Sequence, residues 1–116
     1  MFLMALRTQT LAEFELLVLL AALRLGPDEA YTVSIAEYIE QRTGRPVRRA
    51  NVFTTLQRLE QKRLVATHLG EARPERGGKP RRLVAVRPAG IAAVRAMTGA
   101  IQAMVGDLGA LLEEPR

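Results

Sequence analysis

Residues 46–65, PVRRANVFTTLQRLEQKRLV, constrain this chain more than any other stretch. At helical spacing Val52, Leu56 and Leu59 stack on one side, with Phe53 beside them and Leu64 just past the end. Arg48, Asn51, Thr54, Thr55, Arg58 and Lys62 fall on the other side. Positions three and four apart share a face at 3.6 residues per turn, so the stretch reads as an amphipathic helix with an apolar back. Its outward face carries no acid in the first three turns. It offers guanidinium groups, an amide and hydroxyls, the groups that bond phosphates and base edges in a DNA major groove. A plain solvated helix face is the ordinary alternative, and the neighbouring sequence decides between the two.

Charge is segregated around that helix. The 116 residues carry a formal net charge of +5 and are 48% hydrophobic, enough for one small domain with a modest core. Between Arg42 and Arg82 there are twelve Lys or Arg and three acids, a net of +9, which leaves −4 for the remainder. Such a split is the electrostatic footprint that a polyanion such as double-stranded DNA requires. A membrane surface is the rival partner, and no long basic amphipathic helix or lipidation signal supports it.

Other chemistries find little to work with. Cysteine is absent, which excludes disulfides and thiolate metal sites. The single histidine, His68, cannot build a metal site alone and reads as a surface strand residue. No nucleophile, base and orienting group stand together, so neither an enzyme nor a cofactor is expected. The opening MFLMALRTQT is apolar over too few residues for a signal peptide or a membrane span, which points to a cytosolic protein.

In chain order, residues 1–9 form an N-terminal arm whose Phe2, Leu3, Met4 and Leu6 suit packing on the domain or on a partner chain; disorder is the competing reading. Thr10 with Glu13 has the spacing of a capping box and predicts a first helix from Thr10. Every residue from Leu16 to Leu23 is apolar, so this helix is expected to bury nearly its whole circumference, a first sign of a dimer. Gly26-Pro27 ends it. Thr32 can cap a second helix to about Thr43, with Ile35, Ala36 and Ile39 inward, Glu37, Glu40 and Gln41 outward and Gly44 closing it. Two short helices with a tight glycine-containing turn, the second basic outside, form a helix-turn-helix. Arg48 and Arg49 add charge where a helix N-terminus already attracts phosphate.

LVATHLG and LVAVR read as two strands flanking EARPERGGKPRR. A hairpin whose tip carries Arg73, Arg76, Lys79, Arg81 and Arg82, directly after a helix-turn-helix, is a wing suited to a minor groove or flanking backbone. The run ERGGKPRRLVAVRPAG resembles the wing of PadR-type transcriptional regulators: glycine, a basic residue, proline, further basic residues, then a strand closing on a Pro-x-Gly step. Asn51 to Glu60, NVFTTLQRLE, is similar to that family's recognition helix, roughly T-L-Y-x-x-L-x-R-L-E. The resemblance covers about residues 10–90. It implies a winged helix-turn-helix over residues 10–87, a single C-terminal dimerisation helix over 88–116, and transcriptional repression, often relieved by small molecules. It also places Asn51, Thr54, Thr55 and Arg58 towards DNA, and Lys79, Arg81 and Arg82 in the wing.

Three departures from the family pattern bear on operator preference. Arg48, Arg49 and Ala50 stand where Ser, Pro and Gly are frequent, Phe53 replaces the usual tyrosine, and Leu83-Val84 replaces an aromatic pair. Some relatives hold flat aromatic compounds between tryptophans at the dimer interface; this chain has no Trp, which disfavours a stacking pocket of that type. Met97 and Met104 could line an adaptable effector cavity or simply pack in the core.

Pro88 suits the first turn of a last helix, expected to run to about Glu113. Val94, Met97, Ile101, Met104, Leu108 and Leu111 alternate steps of three and four, a seam that could pair two helices as a dimer interface or pack on the first helix, or both. The glycines at 99, 106 and 109 fall on its outer positions at a cost in helix propensity, with no reason apparent in the sequence. The expected fold is mainly α with a small β-hairpin, a winged helix-turn-helix plus a long C-terminal dimerisation helix. The expected function is that of a homodimeric, sequence-specific repressor on a palindromic operator. Arg48, Arg49 and Asn51 would read bases, and Thr54, Thr55, Arg58, Arg76, Lys79, Arg81 and Arg82 would hold phosphates. A winged-helix module for protein partners, or a non-specific DNA-binding protein, is the alternative.

Overall fold

The computed structural model describes residues 10–72, 77 and 79–113. Helices α1 (Glu13–Leu25), α2 (Thr32–Thr43) and α3 (Arg49–Gln61) lead into an antiparallel hairpin, β1 (Val65–Ala72) and β2 (Pro80–Val86), followed by α4 (Pro88–Val105) and a 3₁₀ turn at Leu108–Leu112. This is the mainly helical, winged helix-turn-helix arrangement that the sequence implies. The expected N-terminal arm lies outside the described residues.

α1 starts three residues later than the Thr10–Glu13 spacing predicts. Leu11 is buried ahead of the helix and Leu16 is buried within its first turns, the two positions of a hydrophobic staple. That staple moves the cap to Ala12, whose amide donates to Glu15 Oε1 at 2.9 Å, so Glu15 rather than Glu13 closes the helix start. Leu16, Val18, Leu19, Ala21 and Ala22 are buried against the other elements. Phe14, Leu17 and Leu20 are only half-buried and Leu23 is exposed, so α1 keeps one side open instead of being covered all round.

Gly26, at φ 85°, ends α1 and donates its amide to the Ala22 carbonyl. Ala30 is then buried, and its carbonyl accepts from the Val84 amide at 2.8 Å, which ties the α1–α2 loop to the wing. α2 follows with Tyr31 at its cap, one residue before the expected Thr32; the Tyr31 amide donates to Ser34 Oγ. Ile35, Ala36 and Ile39 face the core, and Gly44 takes the left-handed conformation at φ 76°, both as predicted. The Val47 amide donates to Glu40 Oε2 at 2.7 Å and fixes the turn into α3.

α3 buries Val52, Leu56 and Leu59. It ends in a Schellman arrangement: the Leu64 amide reaches the Leu59 carbonyl and the Arg63 amide reaches Glu60. The left-handed residue in it is Arg63, at φ 62°, a position that normally falls to glycine. Buried Leu64 then leads into β1, which pairs with β2 in the register Val65↔Val86, Thr67↔Val84 and Leu69↔Arg82, with an irregularity before Ala72. His68 is an exposed strand residue opposite Leu83.

The Pro-x-Gly step has a steric reason. Pro88 opens α4, and the Arg87 amide bonds the Leu64 carbonyl at 2.9 Å. A Cβ on Gly90 would collide with that same carbonyl oxygen, so only glycine lets α4 lie this close to the start of β1. α4 stops at Val105, eight residues short of the expected Glu113. Gly106 turns the chain at φ 41° and ψ −130°, which accounts for one of the outer glycines. The expected seam therefore divides. Val94 is buried and Met97 packs on the core, whereas Ile101 is exposed, Met104 is 85% exposed and Leu111 80% exposed. Leu108 is half-buried in the 3₁₀ turn.

Candidate nucleic-acid interface

The buried stripe of α3 is Val52, Thr55, Leu56 and Leu59, spaced i, i+3, i+4, i+7. Thr55 was expected on the outward face, but it sits in that stripe at 1% exposure. Its hydroxyl accepts from Arg58 Nη2 at 3.3 Å, and it can touch no ligand from there. Phe53 is the converse correction: read beside the apolar back, it is 52% exposed. An exposed aromatic on this face offers an apolar surface of the kind that meets a thymine methyl.

Arg48, at the N-cap of α3, is exposed, as are Arg49, Asn51 and Thr54. No side chain caps the helix start, so the positive end of the helix dipole and Arg48 and Arg49 together form an electropositive end. Thr54 donates its hydroxyl proton to the Ala50 carbonyl at 3.0 Å, so in this state it is an acceptor only. Gln57 shares the exposed side with Ala50 and Thr54 and was missed as a candidate. Its amide can pair with an adenine edge, and its position three after Thr54 was the available signal.

Arg58 is 51% exposed and tethered at its inner end: Nε lies 3.8 Å from Glu15 Oε2. Glu15 itself is buried at 3% exposure between α1 and α3. It also accepts from Lys62 Nζ at 2.8 Å, so Lys62, grouped in sequence with the outward donors, is turned to the core. Burial alone would push the Glu15 carboxyl up. The hydrogen bonds from Lys62 and the Ala12 amide, with the charges of Lys62 and Arg58, outweigh it and hold the carboxyl below the usual carboxylate range. The sequence placed Glu15 at a helix start and gave no sign of this role.

In the wing, Lys79 and Arg82 are exposed. Arg82 Nη1 donates to Thr67 Oγ1 at 3.2 Å, and Thr67 donates in turn to Glu60 Oε2 at 3.0 Å, a chain linking the wing to the end of α3. Arg81, expected beside them, faces the other way because neighbouring strand residues alternate sides. It is 9% exposed, with its guanidinium 4.9 Å from the centroid of the Tyr31 ring and, among the described residues, no partner for Nε. Arg81 is thus a packing residue between the wing and the α1–α2 loop, not a surface cation. Arg73 and Arg76 lie outside the described residues. Among the described residues no three of His, Asp and Glu come together to hold a metal, and no helix is long and apolar enough to cross a membrane.

No family model and no curated protein matches the chain. Solved structures do. A PadR-family transcriptional regulator from Eggerthella lenta superposes with a TM-score of 0.64 at 23% identity, over 85% of this chain and 83% of that one. A transcriptional regulator from Clostridium thermocellum gives 0.65 at 14% identity, over 85% and 92%. S. aureus MepR in complex with DNA gives 0.64 at 19% identity, over 90% and 66%. The fold of this chain is that of the winged-helix regulators, a PadR-type regulator among them.

Proposed function

We propose that the chain is a PadR-type, DNA-binding transcriptional regulator that acts as a homodimeric repressor on a palindromic operator. The observation that carries this reading is the outward face of α3: Arg48, Arg49, Asn51, Thr54, Gln57 and Arg58 are exposed together on a helix whose opposite stripe is anchored in the core. Arg48, Arg49 and Asn51 read base edges, with Gln57 alongside, while Arg58, Lys79 and Arg82 hold phosphates on either side. Thr54 contributes after exchanging its bond to Ala50. The similarity to MepR solved with DNA supports double-stranded DNA as the partner.

The dimer reading rests on α4. Ile101, Met104 and Val105 are exposed in its second half, and Leu111 and Leu112 follow. Contiguous apolar surface of this kind marks an interface. A second copy that covers it gives a two-fold arrangement, with one α3 per half-site about one helical turn of DNA apart. The same apolar surface is where a small-molecule effector of the dimer would bind.

Binding of the purified chain to DNA from upstream of its own gene, beside scrambled DNA across a salt series, tests the proposal. A preference of about a thousandfold for the native sequence with steep salt dependence is expected. Equal, weak binding to both would refute a sequence-specific regulator. A mass corresponding to one chain at micromolar concentration would refute the homodimer.

A further inference from the structure

Lys62 belongs by sequence to the cationic side of α3, yet its ammonium is committed to the buried carboxylate of Glu15 at 2.8 Å. Glu15 gathers two donors and a nearby charge: the Ala12 amide at the start of α1 and Lys62 just past the end of α3 donate to it, and Arg58 Nε one turn earlier pairs with it at 3.8 Å without a hydrogen bond. Arg58 bonds Thr55 as well, so its inner nitrogens are held while its outer surface stays open. One carboxylate on α1 therefore ties down Arg58 and Lys62 at the C-terminal end of α3.

For a DNA-reading helix this has a consequence beyond packing. Contacts from lysine to phosphates raise affinity for every sequence alike, whereas discrimination comes from base edges and from a fixed register. A lysine beside the reading face that was free to reach phosphates would strengthen non-specific binding and favour shifted registers. A buried anion that takes up its charge prevents that.

We infer that Glu15 is a positioning residue for DNA recognition: it withholds Lys62 from the phosphate backbone and sets Arg58 at the edge of α3, so a carboxylate that touches no DNA raises specificity. This rests on the DNA-binding reading above. The test uses the full chain as wild type, Lys62→Gln, Glu15→Gln and the double variant, each titrated against the upstream duplex and a scrambled duplex across a salt series.

Lys62→Gln alone should leave the salt slope on both duplexes unchanged. Glu15→Gln should steepen the slope on scrambled DNA by about one unit, the increment of one added phosphate contact, and lower the ratio of specific to scrambled affinity. The double variant should return to the wild-type slope. A merely structural Glu15 would lower the melting temperature without moving the ratio or the slope, and that result overturns the proposal. So does a slope that flattens by about one in Lys62→Gln, because Lys62 would then already contact DNA; this arm can overturn the proposal even if Glu15→Gln fails to fold. Wild-type protein that binds neither duplex would overturn the DNA-binding reading itself, and this inference with it.

Discussion

Two glycines in α4 give opposite predictions for the same substitution. At Gly90 an added Cβ would collide with the Leu64 carbonyl oxygen and come within 2.8 Å of Val86 Cγ1. Helix propensity favours alanine over glycine by about 1 kcal/mol. Against that, forcing a methyl into a packed contact costs about 1–3 kcal/mol. Pushing the Leu64 carbonyl aside also weakens its bond from the Arg87 amide, worth about 1 kcal/mol. Gly90→Ala should therefore be destabilising by about 1–3 kcal/mol net. Gly99 sits mid-helix with nothing within 4 Å of its would-be Cβ, so Gly99→Ala keeps the propensity gain alone and should stabilise by about 1 kcal/mol. Urea denaturation followed by far-UV circular dichroism, with variant and wild type at the same protein concentration so that any dimer linkage is held fixed, measures both. A Gly90→Ala midpoint at or above wild type would refute the close approach of α4 to the Leu64 carbonyl. A destabilised Gly99→Ala would mean that another chain approaches there.

Four further outcomes follow from particular side chains. Arg63→Gly should stabilise by about 0.5–1 kcal/mol in thermal denaturation, since glycine takes the left-handed turn after α3 without strain. Because the Glu15 carboxyl titrates below its ordinary value of 4.5, its contribution to stability is complete above that pH and is lost as pH falls through the lowered folded value. Denaturation midpoints should thus fall below about pH 4.5 in wild type and fall less in Glu15→Gln. Arg81→Leu should cost less than about 1 kcal/mol or even stabilise, because among the described residues this buried cation has no charged partner and is poorly compensated. Arg82→Ala, by contrast, should reduce the salt slope of DNA binding by about one unit with little change in stability, as a surface phosphate contact requires.

Much of the fold was legible because local signals and core pattern agreed. Gly26-Pro27, Gly44 and Pro88 mark helix boundaries through backbone conformation alone, and Ile35, Ala36, Ile39, Val52, Leu56 and Leu59 take the buried positions their spacing assigns. The start of α1 was misread because two capping arrangements compete. The polar spacing of Thr10 and Glu13 is intact, but burial of Leu11 is worth more than a surface cap and moves the helix start. The end of α4 was misread because a heptad pattern continues past Gly106, where a single residue at positive φ breaks the helix regardless of the apolar residues beyond.

The site was half legible. Arg48, Arg49, Asn51, Thr54, Arg58, Lys79 and Arg82 are where the pattern puts them, on the surface. Thr55 and Phe53 exchange roles because polarity alone does not determine exposure on this helix, whereas the i, i+3, i+4, i+7 rule from Val52 places Thr55 inside. Arg81 and Arg82 are indistinguishable by composition, and only the strand pleat separates a buried cation from an exposed one. The Glu15–Lys62 pair joins residues 47 positions apart, and no periodicity within one helix can report it.

The central claim is that DNA meets the outward face of α3. Amide chemical-shift mapping of the full chain, titrated with a duplex from upstream of its own gene, tests it directly. Perturbations should cluster at residues 48–58 of the recognition helix and at Arg82 in the wing, and should leave residues 101–112 at their free positions. Shifts confined to the far end of α4, or spread evenly over the chain with none at Asn51 and Gln57, would contradict the account.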